Sequence, residues 1–143
     1  MRKKLPVYGN GKNVRDWLHV EDHVSALHLI LKKGIPGNTY NIGGNAEKRN
    51  IDVVNLICDE LNKLNLKDNF DYKKLITFVK DRPGHDKRYA VNCSKIKSKL
   101  KWKPKHKFNS GLKSVIKWYI KNEVWWRKII SKSYTMRRIG VTK

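Results

Sequence analysis

A chain of 143 residues is long enough for one domain, and its formal charge of +21 comes from 33 Lys and Arg against 12 Asp and Glu. No run approaches the roughly 18 apolar residues of a membrane span, and Met1-Arg2-Lys3-Lys4 leads into Leu5-Pro6 instead of a signal-peptide core, so a cytoplasmic chain without a membrane partner is expected. Cys58 and Cys93 have neither pairing nor metal-like spacing, which excludes a disulfide scaffold and leaves reduced thiols, Cys58 as a small buried apolar group.

Leu5 to Tyr8 reads as a short strand ending in a Gly9-Asn10-Gly11 turn, and Asp16 to Leu18 as an extended piece entering a helix. Glu21 and Asp22 fall in the first helical turn, where carboxylates complement the dipole, and Val24, Leu27, Ile30 and Leu31 recur at helical spacing. Lys32, Lys33 and Gly34 supply a cationic last turn and a stop near Lys33. Asn38 to Ile42 reads as a strand closed by Gly43-Gly44, and Asn50 as the cap of a helix whose Ile51, Val54, Ile57, Cys58 and Leu61 form one stripe. Leu64 to Lys74 is polar and reads as loop, Leu75 to Val79 as a strand, Asp81 to His85 as a turn, and Tyr89 to Val91 as a short extended piece. Ser94 is the expected cap of a helix to Leu100, Pro104 breaks the chain, and Ser110 opens a helix with Leu112, Val115, Ile116 and Tyr119 on one face.

The charge is uneven: residues 1 to 100 hold 20 basic and 11 acidic side chains, whereas 101 to 143 hold 13 basic ones and only Glu123 as an acid. Lys101, Lys103, Lys105 and Lys107 interleave with Trp102 and Phe108, a pattern that suits phosphates and bases and keeps a basic nucleic-acid-binding protein as one reading. Lys, Asn and Ile are abundant throughout, so a solvated surface explains the same charge and stands ahead of it.

Arg15 is the first residue to suggest chemistry. Its guanidinium can grip two phosphate oxygens, and the bare glycine turn before it admits a ligand. Alone, an Arg after a turn is usually a surface ion pair. Its setting, Leu5-Pro6-Val7-Tyr8-Gly9-Asn10-Gly11-Lys12-Asn13-Val14-Arg15-Asp16-Trp17-Leu18-His19-Val20-Glu21-Asp22-His23, closely resembles the nucleotide-sugar-binding segment of the dTDP-glucose 4,6-dehydratases, members of the extended short-chain dehydrogenase/reductase superfamily. Asp81-Arg82-Pro83-Gly84-His85-Asp86-Lys87-Arg88-Tyr89 matches a second loop of that family, and Lys101-Trp102-Lys103-Pro104 a third element.

The resemblance implies an α/β fold: the carboxy-terminal portion of a Rossmann-type extended short-chain dehydrogenase. This would be mainly the smaller nucleotide-sugar-binding domain, plus an orphan helix (20 to 33) and strand (38 to 42) of the NAD domain. Residues 1 to 143 would form a single incomplete unit, with 5 to 135 as the substrate-binding part and 136 to 143 as a basic tail. The implied partner is a dTDP-sugar. Pro6, Val7 and Tyr8 would line the nucleobase, and Arg15, Arg82 and Asn50 would meet the phosphates. Asp81 would stand in the Arg82 loop, Pro83 and Gly84 would shape its turn, and His85 would lie near the sugar. As a cap, Asn50 would also leave amides open to an anion. The family's further nucleotide-contacting Tyr has no counterpart after Tyr134.

That family oxidises C4 of the bound glucose with NAD, eliminates water across C5 and C6, and returns the hydride to C6. It uses a G-x-x-G-x-x-G turn, a Tyr-x-x-x-Lys pair and a Thr-Asp-Glu set. Gly9-x-Gly11 and Gly43-Gly44 lack the glycine spacing, no Tyr precedes a Lys by four in a comparable context, and Asp59-Glu60 lacks a preceding Thr. The expectation is a lyase by kinship that keeps the nucleotide-sugar half-site, binds no NAD alone, has no catalytic residue of its own, and needs a complementing amino-terminal polypeptide. A standalone dTDP-sugar or phosphate-binding module is the alternative. His19-Val20-Glu21-Asp22-His23 superficially resembles a zinc-protease helix, but Glu does not follow the first His and no third ligand is evident, so no metal is expected. His28 and His106 read as without partners.

Overall fold

The computed structural model describes residues 3–64, 66 and 69–132; the expected tail and Tyr134 lie outside them. In chain order the elements are β1 (Leu5–Tyr8), β2 (Val14–Asp16), α1 (Val20–Lys33), β3 (Glu47–Arg49), α2 (Asn50–Leu64), a 3-10 turn (Tyr72–Leu75), β4 (Ile76–Val79), β5 (Arg88–Tyr89), α3 (Ser94–Leu100), α4 (Phe108–Lys121) and α5 (Glu123–Lys132). β1 pairs parallel with β4, Leu5 opposite Ile76 and Tyr8 opposite Val79. β2 is the centre of a second sheet, antiparallel to β3 and parallel to β5. Both parallel pairs need long crossovers, so the turn after β1 and the loop after β4 finish side by side although far apart in sequence.

The core joins α1 to α3. Ala26 and Ile96 are fully buried, with Cys93 and Trp102 beside them and Leu29, Ile30, Tyr40 and Ile42 packed around. The indole Nε1 of Trp102 donates to Ser25 Oγ at 3.0 Å, which satisfies the polar end of a buried ring. Asp22 is 2% exposed. Its two oxygens accept the backbone N–H groups of Lys105 and His106, each at 3.0 Å, and so tie α1 to the loop before α4. Burial works against the Asp22 charge, but those two N–H groups and His106 outweigh it and hold the carboxyl below its ordinary value.

These polar anchors choose the buried face of α1. Asp22, Ala26, Leu29 and Ile30 turn inward, whereas Val20, Val24, Leu27 and Leu31 are exposed, Leu31 by 86%. Of the periodic stripe, then, only Ile30 joins the core. Gly34 ends the helix in extended backbone, where a Cβ would collide with the Ile30 carbonyl. A second packed region sets α2, with Val53 and Cys58 buried, beside the 3-10 turn and α4. There Asn62 donates to Asp71 Oδ1 and accepts the Tyr72 N–H, each at 2.9 Å.

Several local expectations are corrected. Asn38 to Ile42 forms no strand, because no described segment offers it a ladder; Tyr40 and Ile42 serve as packing groups instead. The charged Glu47–Arg49 pairs with β2 although nothing in its pattern signals a strand. Ser94 is the first residue of α3 and not its cap: Cys93 holds the cap position without a side-chain cap bond, and Asn92 Oδ1 accepts the Ser94 N–H at 2.8 Å. The expected last helix begins at Phe108 and is followed, past Asn122, by α5.

Candidate functional site

The Gly9–Gly11 turn organises this region. Gly9 N–H donates to the Val79 carbonyl at 2.9 Å, which keeps the turn on β4. Gly9 and Gly11 have φ of 57° and 69°, in the left-handed region that favours glycine. Space agrees: a Cβ on Gly9 would meet Asp81 Oδ2 at 2.7 Å, and one on Gly11 would meet Val7 and Ile51 at 2.9 Å.

The loop after β4 is laced to the same turn. Asn13 Nδ2 and Arg15 Nη1 both donate to the Asp86 carbonyl, at 3.0 and 3.1 Å, and the Val14 N–H reaches the Lys87 carbonyl at 2.8 Å. Within the loop, Asp81 Oδ1 accepts the Arg82 N–H at 2.9 Å and lies 2.6 Å from His85 Nδ1. The His85 ring meets Tyr8 edge-on at 6.2 Å. The His85 hydrogen bond, chiefly, holds the Asp81 carboxyl below its ordinary value.

Asn50 arrives from the other side. Its N–H donates to the Asn13 carbonyl and the Ile51 N–H to the Gly11 carbonyl, both at 2.9 Å. These two amides are therefore taken, so of the amides expected to lie open beyond an Asn50 cap that of Ile51 is not available to an anion. Tyr8, Arg15, Asn50, Asp81 and His85 thus converge on one turn. Arg82, Pro83 and Gly84 form the exposed tip of the loop, and Gly84, at φ 63°, has open space where a Cβ would stand. Pro6 is exposed on β1, whereas Val7 is buried and can offer a ligand only backbone.

Arg15 is half-buried, and its two contacts, to the carbonyls of Val14 at 2.7 Å and Asp86, both use Nη1. The Nε and Nη2 edge remains for a bidentate ligand. Asn13 and Asp86, which hold this arrangement, carried no sequence signal beyond their turn-forming types, since their bond closes 73 residues of chain. An open cleft of about 690 Å³ along β3 and α2 takes in Val14, Arg49 and Asn109 but not these residues.

The dinucleotide fits neither glycine turn. Gly9–Gly11 connects two strands, and the Gly44 and Ala46 N–H groups are bound by the Asp16 carboxylate at 3.0 and 2.8 Å, a negative group where a pyrophosphate would need donors. Tyr8 and Lys12, four apart, straddle the first turn and share no helix face. His106, expected to lack partners, instead faces Asp22, Glu21 and His19.

Parallel strand pairs flanked by helices, with Arg15 on the strand that follows a glycine turn, agree with part of a Rossmann-type short-chain dehydrogenase fold. The GDP-mannose 4,6 dehydratase family matches residues 1–115, and the chain belongs to that family. Within it, the chain is 49% identical over 145 residues to a dTDP-glucose 4,6-dehydratase of Escherichia coli, across 99% of this chain and 40% of the relative. It is likewise 49% identical to that of Neisseria meningitidis serogroup B, across 99% and 41%. Among solved structures, the dTDP-glucose 4,6-dehydratase of Bacillus anthracis in complex with NAD superposes with a TM-score of 0.78 at 50% identity, over 89% of this chain and 38% of that one. The enzyme of Streptomyces venezuelae with NAD and TYD bound gives 0.80 at 35%, over 89% and 37%. The chain therefore spans about two-fifths of the length of its curated relatives. Among the described residues no helix is long and apolar enough to cross a membrane.

Proposed function

We propose that this chain is the nucleotide-sugar-binding part of a dTDP-glucose 4,6-dehydratase of the cytoplasm, and that it performs none of the oxidation, elimination or reduction by itself. The convergence of Tyr8, Arg15, Asn50 and the Asp81–His85 loop on one glycine turn carries this reading. Arg15 presents its free edge to the pyrophosphate, and Arg82, at the loop tip, adds a second cation. Tyr8, with His85 against its ring, offers an aromatic face to the base, and Pro6 and Val7 offer strand-end backbone. Asp81 is a poor neighbour for phosphate; its work is to hold His85 and the Arg82 backbone. Pro83 and Gly84 shape the tip. NAD and the proton-transferring groups belong to the part of the fold outside these residues, which a complementing amino-terminal polypeptide would supply.

Calorimetric titration with dTDP and with a mixed-sequence oligonucleotide at two salt concentrations tests the reading. Saturable dTDP binding that changes little with salt is expected, while any oligonucleotide binding collapses steeply. Absence of dTDP binding beside tight oligonucleotide binding would overturn it.

A further inference from the structure

The sequence rejects a metal in His19-Val20-Glu21-Asp22-His23 for want of a third ligand, and the fold brings one from the loop before α4. His106 stacks on His19 with ring centroids 4.0 Å apart and planes 19° apart. Its Nε2 lies 3.3 Å from Glu21 Oε2. One donor atom from each of His19, Glu21 and His106 falls within 4.8 Å of the others. We propose that these three side chains form a site for a borderline divalent transition-metal ion, Zn²⁺ or Ni²⁺, separate from the nucleotide-sugar surface.

The surrounding groups orient the ligands. Asp22, fixed by two backbone N–H groups, has Oδ1 3.2 Å from His106 Nδ1. A carboxylate in that position accepts a hydrogen bond from Nδ1–H and leaves Nε2, the nitrogen beside Glu21, as the lone-pair donor; carboxylates behind ligating histidines play the same part in metal sites generally. His19 receives the Glu21 N–H at Nδ1 at 3.3 Å and has Ser114 Oγ 3.4 Å from Nε2. The first of these is the side-chain cap of α1, which a metal bond at His19 would replace. A four-coordinate ion with bonds of about 2.1 Å wants donors roughly 3.4 Å apart, closer than 4.8 Å. Glu21 Oε2 and His106 Nε2 already stand at that spacing, 3.3 Å apart, so the His19 ring must turn out of its stack on His106 to aim its lone pair at the same ion.

Two imidazoles and one carboxylate favour Zn²⁺ or Ni²⁺ over Mg²⁺, which prefers an all-oxygen shell. Glu21 and Asp22 offset the positive end of α1 and the neighbouring Lys105 and Lys107. Water completes the shell.

Calorimetry of the full chain with ZnCl₂ and NiCl₂, and with MgCl₂ as control, should show one transition-metal site and no Mg²⁺ binding. His19→Gln and His106→Gln should each weaken it by at least about 10-fold. His28→Gln should leave it unchanged. In the wild-type chain, imidazole ¹⁵N resonances of His19 and His106 should shift together on titration, a readout that needs no variant. Equal affinity in all variants, loss on His28→Gln or Cys93→Ser, or shifts confined to other histidines would overturn the proposal.

Discussion

At the scale of single residues, Arg15 and Arg82 differ in how they are held. Arg15 is half-buried and anchored through Nη1, so it reaches a phosphate with little ordering cost; Arg82 is exposed at a loop tip and must be ordered on binding. Arg15→Ala and Arg82→Ala should each weaken dTDP-sugar binding by about 1.5 to 3 kcal/mol, with Arg15 at the upper end, and Lys105→Ala should not. Equal losses for all three in calorimetry would point to diffuse electrostatics. Asp22 allows a prediction about stability. Its carboxyl is depressed in the folded state, so its contribution is present above the unfolded value and is lost as pH falls through the folded one. Asp22→Asn should cost about 1.5 to 3 kcal/mol at neutral pH, while its denaturation profile below about pH 4 should be flatter than the wild type's. Parallel profiles in urea melts across that range would assign the acid sensitivity elsewhere.

Among the elements, α1 is the one whose sequence and surroundings disagree. Val20, Val24, Leu27 and Leu31 make an apolar stripe that nothing in the described chain covers, and Ile35 beyond the helix end is also exposed. Such a surface favours association. Leu27→Glu should therefore shift the chain toward monomer in sedimentation and leave its far-ultraviolet spectrum unchanged; unchanged association would put the contact elsewhere. The core on the opposite face of α1 is small, so residues 20 to 42 should exchange amide hydrogens faster than residues beyond 75, and uniformly strong protection over 20 to 42 in a demonstrated monomer would contradict this. Helices α1 to α4 were legible because apolar recurrence and Lys-Gly ends are local signals, α1 spanning Val20–Lys33 near the stop its last turn announces and α3 ending at Leu100, whereas α5 (Glu123–Lys132) was not. β3 was not legible, since a Glu-Lys-Arg strand exists only by virtue of its partner β2.

For the whole molecule, the distribution of chemistry is the controlling fact. The purified chain should show no conversion of dTDP-glucose in the presence of NAD, and a supplied amino-terminal polypeptide bearing the dinucleotide fold should restore it. Detection of the keto-sugar product with the chain alone would refute the half-site reading. Neither glycine turn offers NAD a ring of donors, because one joins two strands and the other is bound by Asp16.

The motif runs and helices α1 to α4 were legible from the chain alone, because they are local properties of contiguous residues and survive without knowledge of the fold. Only tertiary structure decided which face of α1 is buried. That choice rests on Asp22 meeting the N–H groups of Lys105 and His106, contacts across more than 80 residues of chain that no periodicity encodes. It decided equally that Asn50 and Ile51 spend their amides on Asn13 and Gly11, and that His106 comes to rest against His19. The first follows from the antiparallel pairing of β2 with β3 and the second from the packing of α1 against the loop before α4, contacts between distant segments that leave no mark in the sequence between them.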